Sequence, residues 1–317
     1  MTYKHIIGAA GAALQAALLT SMPVRAERSS PLLAAYYDRQ IAVVDGKIYV
    51  WRGNAAPKPL TVNSLTGAKQ VGVGRSVYYV LSGDGVLRGI GDAPPRARIL
   101  MEGVSRFAAG QNGVLAIKTG GALWWIEATS GNPRRIAVDV AAAVGDGANY
   151  YVTRSGALFV KGRAHRGQDG GGRLTATDRF VQTFSGVAQI TAHTGHAVLR
   201  TKSGDVFGTG GNIYGPVGRH GLGDKAVRWS RIVSGVASVA TGSSHSLAIR
   251  PDGSLMAWGV DYGPDPVQIM TGVTTVAAGS HTSIALKRDG SLWQWDRGDA
   301  KPRRLKFLRN TPTRRTR

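Results

Sequence analysis

A short turn carrying glycine recurs seven times along this chain, each time joining an alternating Ala/Ile/Leu/Val run to a second β-rich run. The turn glycines are Gly46, Gly85, Gly121, Gly156, Gly204, Gly253 and Gly290. Representative flanks are Ile41-Ala-Val-Val44 with Ile48-Tyr-Val-Trp51, and Leu247-Ala-Ile249 with Leu255-Met-Ala-Trp258. Asp-Gly, Ser-Gly and Gly-Gly tolerate the positive φ of a tight turn, so each repeat contains an antiparallel hairpin. The spacing between turns varies from 35 to 49 residues while the motif survives, which places the extra residues in loops. A repeat of this period fixes the architecture before any single residue fixes the chemistry.

Two further short runs accompany most hairpins. One is entered through Gly-Val or its equivalents, as at Gly103-Val104, Gly186-Val187, Gly235-Val236 and Gly272-Val273; the other lies in the linker, as at Arg98-Ile-Leu100, Arg135-Ile-Ala137 and Arg231-Ile-Val233. Four short strands per repeat is the pattern of a propeller blade, which hides one edge at the hub and leaves only short outer edges. The expected fold is therefore all-β, a seven-bladed β-propeller. The first repeat lacks a linker strand in front, and Arg303-Arg-Leu-Lys-Phe-Leu308 is a linker strand with no repeat behind it. Closure is expected by pairing of this C-terminal strand with the N-terminal repeat.

The ends of the chain read differently from the repeats. Residues 1–26 are expected to form a signal peptide: Lys4 precedes the apolar run Ile6 to Leu19, and Val24-Arg25-Ala26 offers a small-x-small cleavage pattern. A run of about 14 apolar residues falls short of the ~20 needed to span a bilayer. The propeller is expected over 27–308, with 309–317 as a basic disordered tail. The mature chain would be a monomer with no transmembrane segment, exported to the periplasm or secreted.

Charge and cysteine content bound the function. The net charge is +21; residues 1–26 remove two bases and no acid, leaving +19. Such an excess implies attraction to a polyanion or an acidic protein surface. The absence of cysteine suits an oxidising compartment and excludes disulfides, thiol catalysis and Cys-ligated zinc.

The pattern Val-Ala-x-Gly-x-x-His-Ser-x-Ala followed by Asp-Gly-x-Leu-x-x-Trp-Gly, at 239–259, resembles the repeats of the regulator of chromosome condensation family. The loop Gly210-Gly-Asn-Ile-Tyr-Gly-Pro-Val-Gly-Arg-His-Gly-Leu-Gly-Asp224 is similar to a second motif of that family, and Lys161 to Gly171 carries a weaker version. The resemblance extends over 32–308 and is sharpest in the last repeats. It implies a seven-bladed propeller and two further possibilities for function: guanine-nucleotide exchange on a small GTPase, the family's founding activity, or inhibition of an exported cell-wall enzyme, as in secreted relatives that inhibit β-lactamases.

Most residues that could carry chemistry have a scaffold explanation. His196 and His245 share one repeat position, with His281 one residue before it, and such equivalent rings usually anchor turns. Ser243, Ser244, His245, Ser246 and Asp252 do not form a triad, because neighbouring strand residues face opposite ways and Asp252 belongs to its turn. Asp45, Asp84 and Asp289 have the same turn role, and Gly170-Gly-Gly-Arg173 lacks the strand, helix and Lys-Ser/Thr of a phosphate loop. Trp124, Trp125, Trp258, Trp293 and Trp295 are expected to pack between blades. His193 stands where other repeats carry glycine and has no role legible in the sequence.

No catalytic residue, metal ligand or cofactor is therefore expected, and the chain reads as a non-enzymatic binding module. What the repeat does not absorb is a pair of long linkers, 161–180 and 208–231, in consecutive blades. They place Arg163, His165, Arg166, Arg173, Tyr214, Arg219, His220, Lys225, Arg228 and Trp229 in one sector as candidate partner-binding residues, because loops on a rigid scaffold are where recognition resides.

Overall fold

A computed structural model describes residues 32–62, 65, 67–91, 95–128, 130–218 and 223–306. The expected signal peptide and the expected basic tail lie outside the described residues. Seven four-stranded antiparallel sheets succeed one another along the chain, each made of four consecutive strands. Blades 1 to 7 occupy 33–59, 68–101, 104–137, 140–184, 187–233, 238–270 and 273–304. Among the described residues there is no helix long and apolar enough to cross a membrane.

Local sequence explains the blade. All seven turn glycines adopt positive φ, between +72° and +99°, where a side chain would be strained. At the first turn Asp45 also has positive φ, so the pair is a primed turn matched to strand twist. Asp84, Asp252 and Asp289 each accept a backbone N–H two residues on, from Val86, Ser254 and Ser291, which fulfils their expected turn role.

Blades pack face to face through seven apolar clusters, one at each junction. The second strand of most blades is buried on both faces, as in His245–Ile249, which explains its nearly continuous apolar sequence; in blade 4, Ala148–Thr153 alternates buried and half-buried residues. Each innermost strand lies against that of the next blade, and the seventh returns to the first. The third residue of the innermost strand often reaches across. Gln70 donates to Phe107 O and accepts from Phe107 N, Gln189 does the same with Val239, and Arg106 donates to Ala141 O.

Closure differs from the expected strand exchange. The last strand, Asp299–Arg304, pairs with Leu292–Asp296 of its own blade, and blade 1 is completed by the short strand Lys58–Pro59 behind its hairpin. The outer linker strand thus comes after each hairpin instead of before it, so no blade is left incomplete at either end. The ring closes through side chains: Leu33, Ala42 and Trp51 pack against Ile284, Leu292 and Leu305. Trp51 Nε1 donates to Gln294 Oε1 (2.8 Å), and Gln294 Nε2 donates to Gly53 O (3.0 Å). Residues 307 and 308 of the expected closing strand lie outside the described residues.

Because every blade is an antiparallel meander entered at its innermost strand, one face of the ring carries all first-to-second turns and all third-to-outer loops. The hairpin turns and blade connections occupy the other face.

Trp258 is wholly buried between blades 5 and 6, with Nε1 donating to Pro216 O (2.8 Å). Trp258→Ala should lower the unfolding free energy by about 3–5 kcal/mol. Urea denaturation monitored by far-UV circular dichroism checks this, and a midpoint unchanged from the parent would contradict the packing described.

Candidate partner-binding face

Both long loops lie on the same face, in blades 4 and 5. The first runs from Leu158–Gly162 to Thr177–Phe184 and folds back on blade 5. Tyr150 donates to Gln168 O (2.7 Å), Thr209 to Gly167 O (2.7 Å), and Arg166 N to Gln168 Oε1 (2.8 Å). Asp169, only 2% exposed, accepts from Gly171 N and pairs with Arg173 Nε at 2.7 Å. The Trp229 ring lies over Gly170, where a Cβ would sit within 2.2 Å of its Nε1, and Gly171 forms a β-bridge with Arg228.

The second loop runs from Val206–Gly211 to Lys225–Val233. Asn212 organises it, donating through Nδ2 to Gly218 O (3.0 Å) and accepting from Val217 N (3.2 Å). Pro216 O receives two donors, Ser246 Oγ and Trp258 Nε1, each at 2.8 Å, which fixes the loop on blade 6. These residues, not the loop cations, hold the loop's shape.

The candidate residues therefore divide. His165, Arg166, Tyr214 and Lys225 line one pocket of about 250 Å³, with Gly195, His196, Gly211, Ile213, Pro216, Asp224, Ser243 and Ser244. Arg163 is exposed beside Gly147, nearer the hub. Arg173, Arg228 and Trp229 brace the first loop against blade 5 and do not line the pocket. Arg219 and His220 lie outside the described residues. Ile213 joins the site although its residue type gave no signal; at 75% exposed it is, among the described residues, the most exposed large apolar side chain on this face.

His193, which has no role legible in the sequence, sits at the hub on the same face. It ends the innermost strand Val187–His193, is 4% exposed, and stacks on Tyr36 with ring centroids 5.6 Å apart. Its Nδ1 lies 2.8 Å from Thr194 Oγ1 and 3.4 Å from Asp146 Oδ2. Its Nε2 is 3.5 Å from Ser280 Oγ, while Tyr36 donates to Asp146 Oδ1 (3.4 Å). Blades 1, 4, 5 and 7 meet in this cluster. Burial holds the Tyr36 phenol above its ordinary range, with the Asp146 charge adding to the effect, so the phenol stays protonated. Burial pushes the His193 imidazole down, against the opposing pull of Asp146.

Ser280, His193 and Asp146 have the atomic connectivity of a hydrolytic relay. Their surroundings oppose that use: Ser280 is 5% exposed, its contact with Nε2 is long, and Thr194 competes for Nδ1. The cluster is a clamp across the hub. Among the described residues no group of three or more His, Asp or Glu side chains is placed to hold a metal ion.

His196 and His245 are ties between blades. His196 Nε2 lies 3.1 Å from Ser246 Oγ of blade 6, and His245 Nε2 lies 2.8 Å from Ser283 Oγ of blade 7. Burial, helped by the neighbouring His193, pushes His196 down to about 3 and His245 to about 4. The unfolded chain binds protons near pH 6.5 that the folded histidines refuse. Stability is therefore complete above pH 6.5 and falls as pH drops toward 4. The urea midpoint should decline from pH 7 to about 4.5, and decline less in the His196→Asn/His245→Asn variant. An equal decline in both proteins would exclude these histidines as its source.

Residues 236–262, most of blade 6, match the Regulator of chromosome condensation (RCC1) repeat. Among solved structures, Prp20p from Saccharomyces cerevisiae, characterised for its binding to Gsp1p and histones, superposes with a TM-score of 0.70 at 14% identity, over 81% of this chain and 83% of its own. Human WBSCR16 superposes with a TM-score of 0.70 at 15% identity, over 81% and 85% of the two chains. Yeast RCC1 (Prp20) bound to Kap60 gives 0.70 at 16% identity, over 81% and 79%. Likeness at these identities concerns the fold. The chain is an RCC1-like seven-bladed propeller.

Proposed function

We propose that this chain is an exported, non-enzymatic propeller that binds a protein partner through the loop face of blades 4 to 6. One observation carries the reading: His165, Arg166, Tyr214 and Lys225, contributed by two separate loops, line a single pocket. Neither Arg166 nor Lys225 forms a side-chain ion pair or hydrogen bond with any described residue, and the loops are shaped by Asn212, Gln168 and Asp169 instead. Side chains that a fold does not use for itself are available to a partner. The net charge of +19 left after residues 1–26 are removed draws acidic surfaces from a distance, and the pocket discriminates on contact.

Recognition of other proteins is what the study of Prp20p, with the same fold, describes for that protein in the case of Gsp1p and histones. Nucleotide exchange on a small GTPase and inhibition of an exported cell-wall enzyme are narrower forms of the same reading. Nucleotide-release and enzyme-inhibition assays separate them.

The test is affinity capture from envelope and culture-supernatant extracts, using residues 27–317 and the Arg166→Ala/Tyr214→Ala/Lys225→Ala variant. A partner should remain bound to the parent at about 0.5 M salt, where polyanion contacts are screened. The variant should lose it by at least about ten-fold while its thermal midpoint stays within about 2 °C, as befits exposed substitutions. Equal capture by both proteins would remove this face from consideration. Capture that vanishes for the parent at high salt would reduce the interaction to polyanion attraction.

A further inference from the structure

We infer that the pocket between the two long loops receives a carboxylate-bearing residue, flanked by an apolar one, on a projecting acidic peptide segment of the partner. This rests on the loop face being the binding surface, and it specifies the chemistry recognised there.

Size limits the occupant. A volume of about 250 Å³ lies just below the roughly 300–1,000 Å³ of cofactor and drug sites. It accommodates one or two residues of a peptide, not a nucleotide cofactor or a sugar chain.

Charge and geometry narrow it further. The wall is cationic, with Arg166 and Lys225 against one carboxylate, Asp224. Arg166 lies along a seat made by two glycines. A Cβ built on Gly195 would fall 2.8 Å from its Nη1, and one on Gly211 would fall 3.3 Å from its Cδ. The missing side chains leave room for the guanidinium to lie flat beside the pocket, and its backbone is fixed by Gln168. A planar guanidinium positioned before binding suits bidentate contact with a carboxylate and loses little freedom when it forms. The hydroxyl of Ser244 makes no hydrogen bond with a described residue and is available as a donor.

The apolar requirement comes from Ile213 and Tyr214, 75% and 49% exposed at the rim. They are not exposed through slackness, because Asn212 and Pro216 anchor the loop on either side of them. The Arg297 guanidinium lies over the Tyr214 ring at 5.3 Å from its centroid, adding a cation at the rim and holding the ring. A rigid aromatic and an aliphatic side chain beside these three cations form a small hot spot, apolar at the edge and cationic at the pocket.

The probes are two fluorescein-labelled, end-capped peptides, Gly-Ser-Leu-Glu-Ser-Gly and its Gln counterpart, titrated with residues 27–317 by fluorescence anisotropy. The Glu peptide should bind at least about ten-fold more tightly, the order expected for a charge-assisted hydrogen-bond pair. Arg166→Gln, Lys225→Gln and Gly195→Ala should each abolish that preference, the last by unseating the guanidinium. Arg135→Gln, on the exposed outer strand of blade 3, should leave it intact. Equal binding of the two peptides, or binding of neither, overturns the assignment. So does Arg166-dependent binding of inorganic polyphosphate without discrimination between the peptides. Should captured partner still depend on Arg166 and Lys225 in that event, the loop face stands and only its ligand falls.

Discussion

Everything in this molecule depends on blade-to-blade packing, because no covalent or strand-exchange latch among the described residues holds the ring. With no cysteine and with the last strand committed to its own sheet, the contacts between blades 7 and 1 among the described residues run through side chains. The seam compensates by being both apolar and hydrogen-bonded. Leu33, Trp51, Ile284 and Leu292 exclude water, and Gln294 uses both ends of its amide, one to Trp51 and one to Gly53. A buried amide satisfied on both sides specifies the register of the seam, since any slip would strand it without partners.

The same logic recurs around the ring with different chemistry at equivalent positions. The first residue of the second strand reaches the second residue of the next blade's second strand. His196 does so to Ser246 and His245 to Ser283, while in blade 1 Arg39 lies over the Tyr78 ring at 4.2 Å. An imidazole–hydroxyl pair and a guanidinium–aromatic pair fill the same slot. That substitution is why the early repeats look degenerate in sequence while their blades remain regular. The position is retained for its geometry, and the residue type is free to change with its neighbour.

The hairpins and their number are legible directly because a positive-φ glycine between alternating runs is a local signal. The phase of the repeat is not. A period gives the order of the strands, but in a ring it does not say where each blade begins, so the strand of Arg303 reads as a linker waiting for a repeat when it is the outer strand of the blade before it. His193 is illegible for a related reason. Its partners Asp146 and Ser280 are distant in the chain and meet it only once the ring has closed. Within the loops, counting cations finds the right sector but does not separate roles. Arg173 and Arg166 look alike in sequence, and only the buried carboxylate of Asp169 decides that one braces while the other faces the pocket.

That division would let a strongly basic protein bind selectively through the proposed face. Charge spread over the surface accelerates encounter with any acidic partner and is blunted by salt within a few ångströms to a nanometre. A cation held in a fixed place beside an apolar rim tolerates fewer partner shapes. Loops pinned by Asn212, Gln168 and Asp169 keep Arg166, Tyr214 and Lys225 in fixed relation, so the cost of ordering them falls on folding and not on association. The hub clamp of His193, Asp146 and Tyr36 lies on the same face and ties blades 4 and 5, which carry those loops, to blades 1 and 7 across the ring. Selectivity of the proposed face would therefore rest on the closed ring as well as on the two loops.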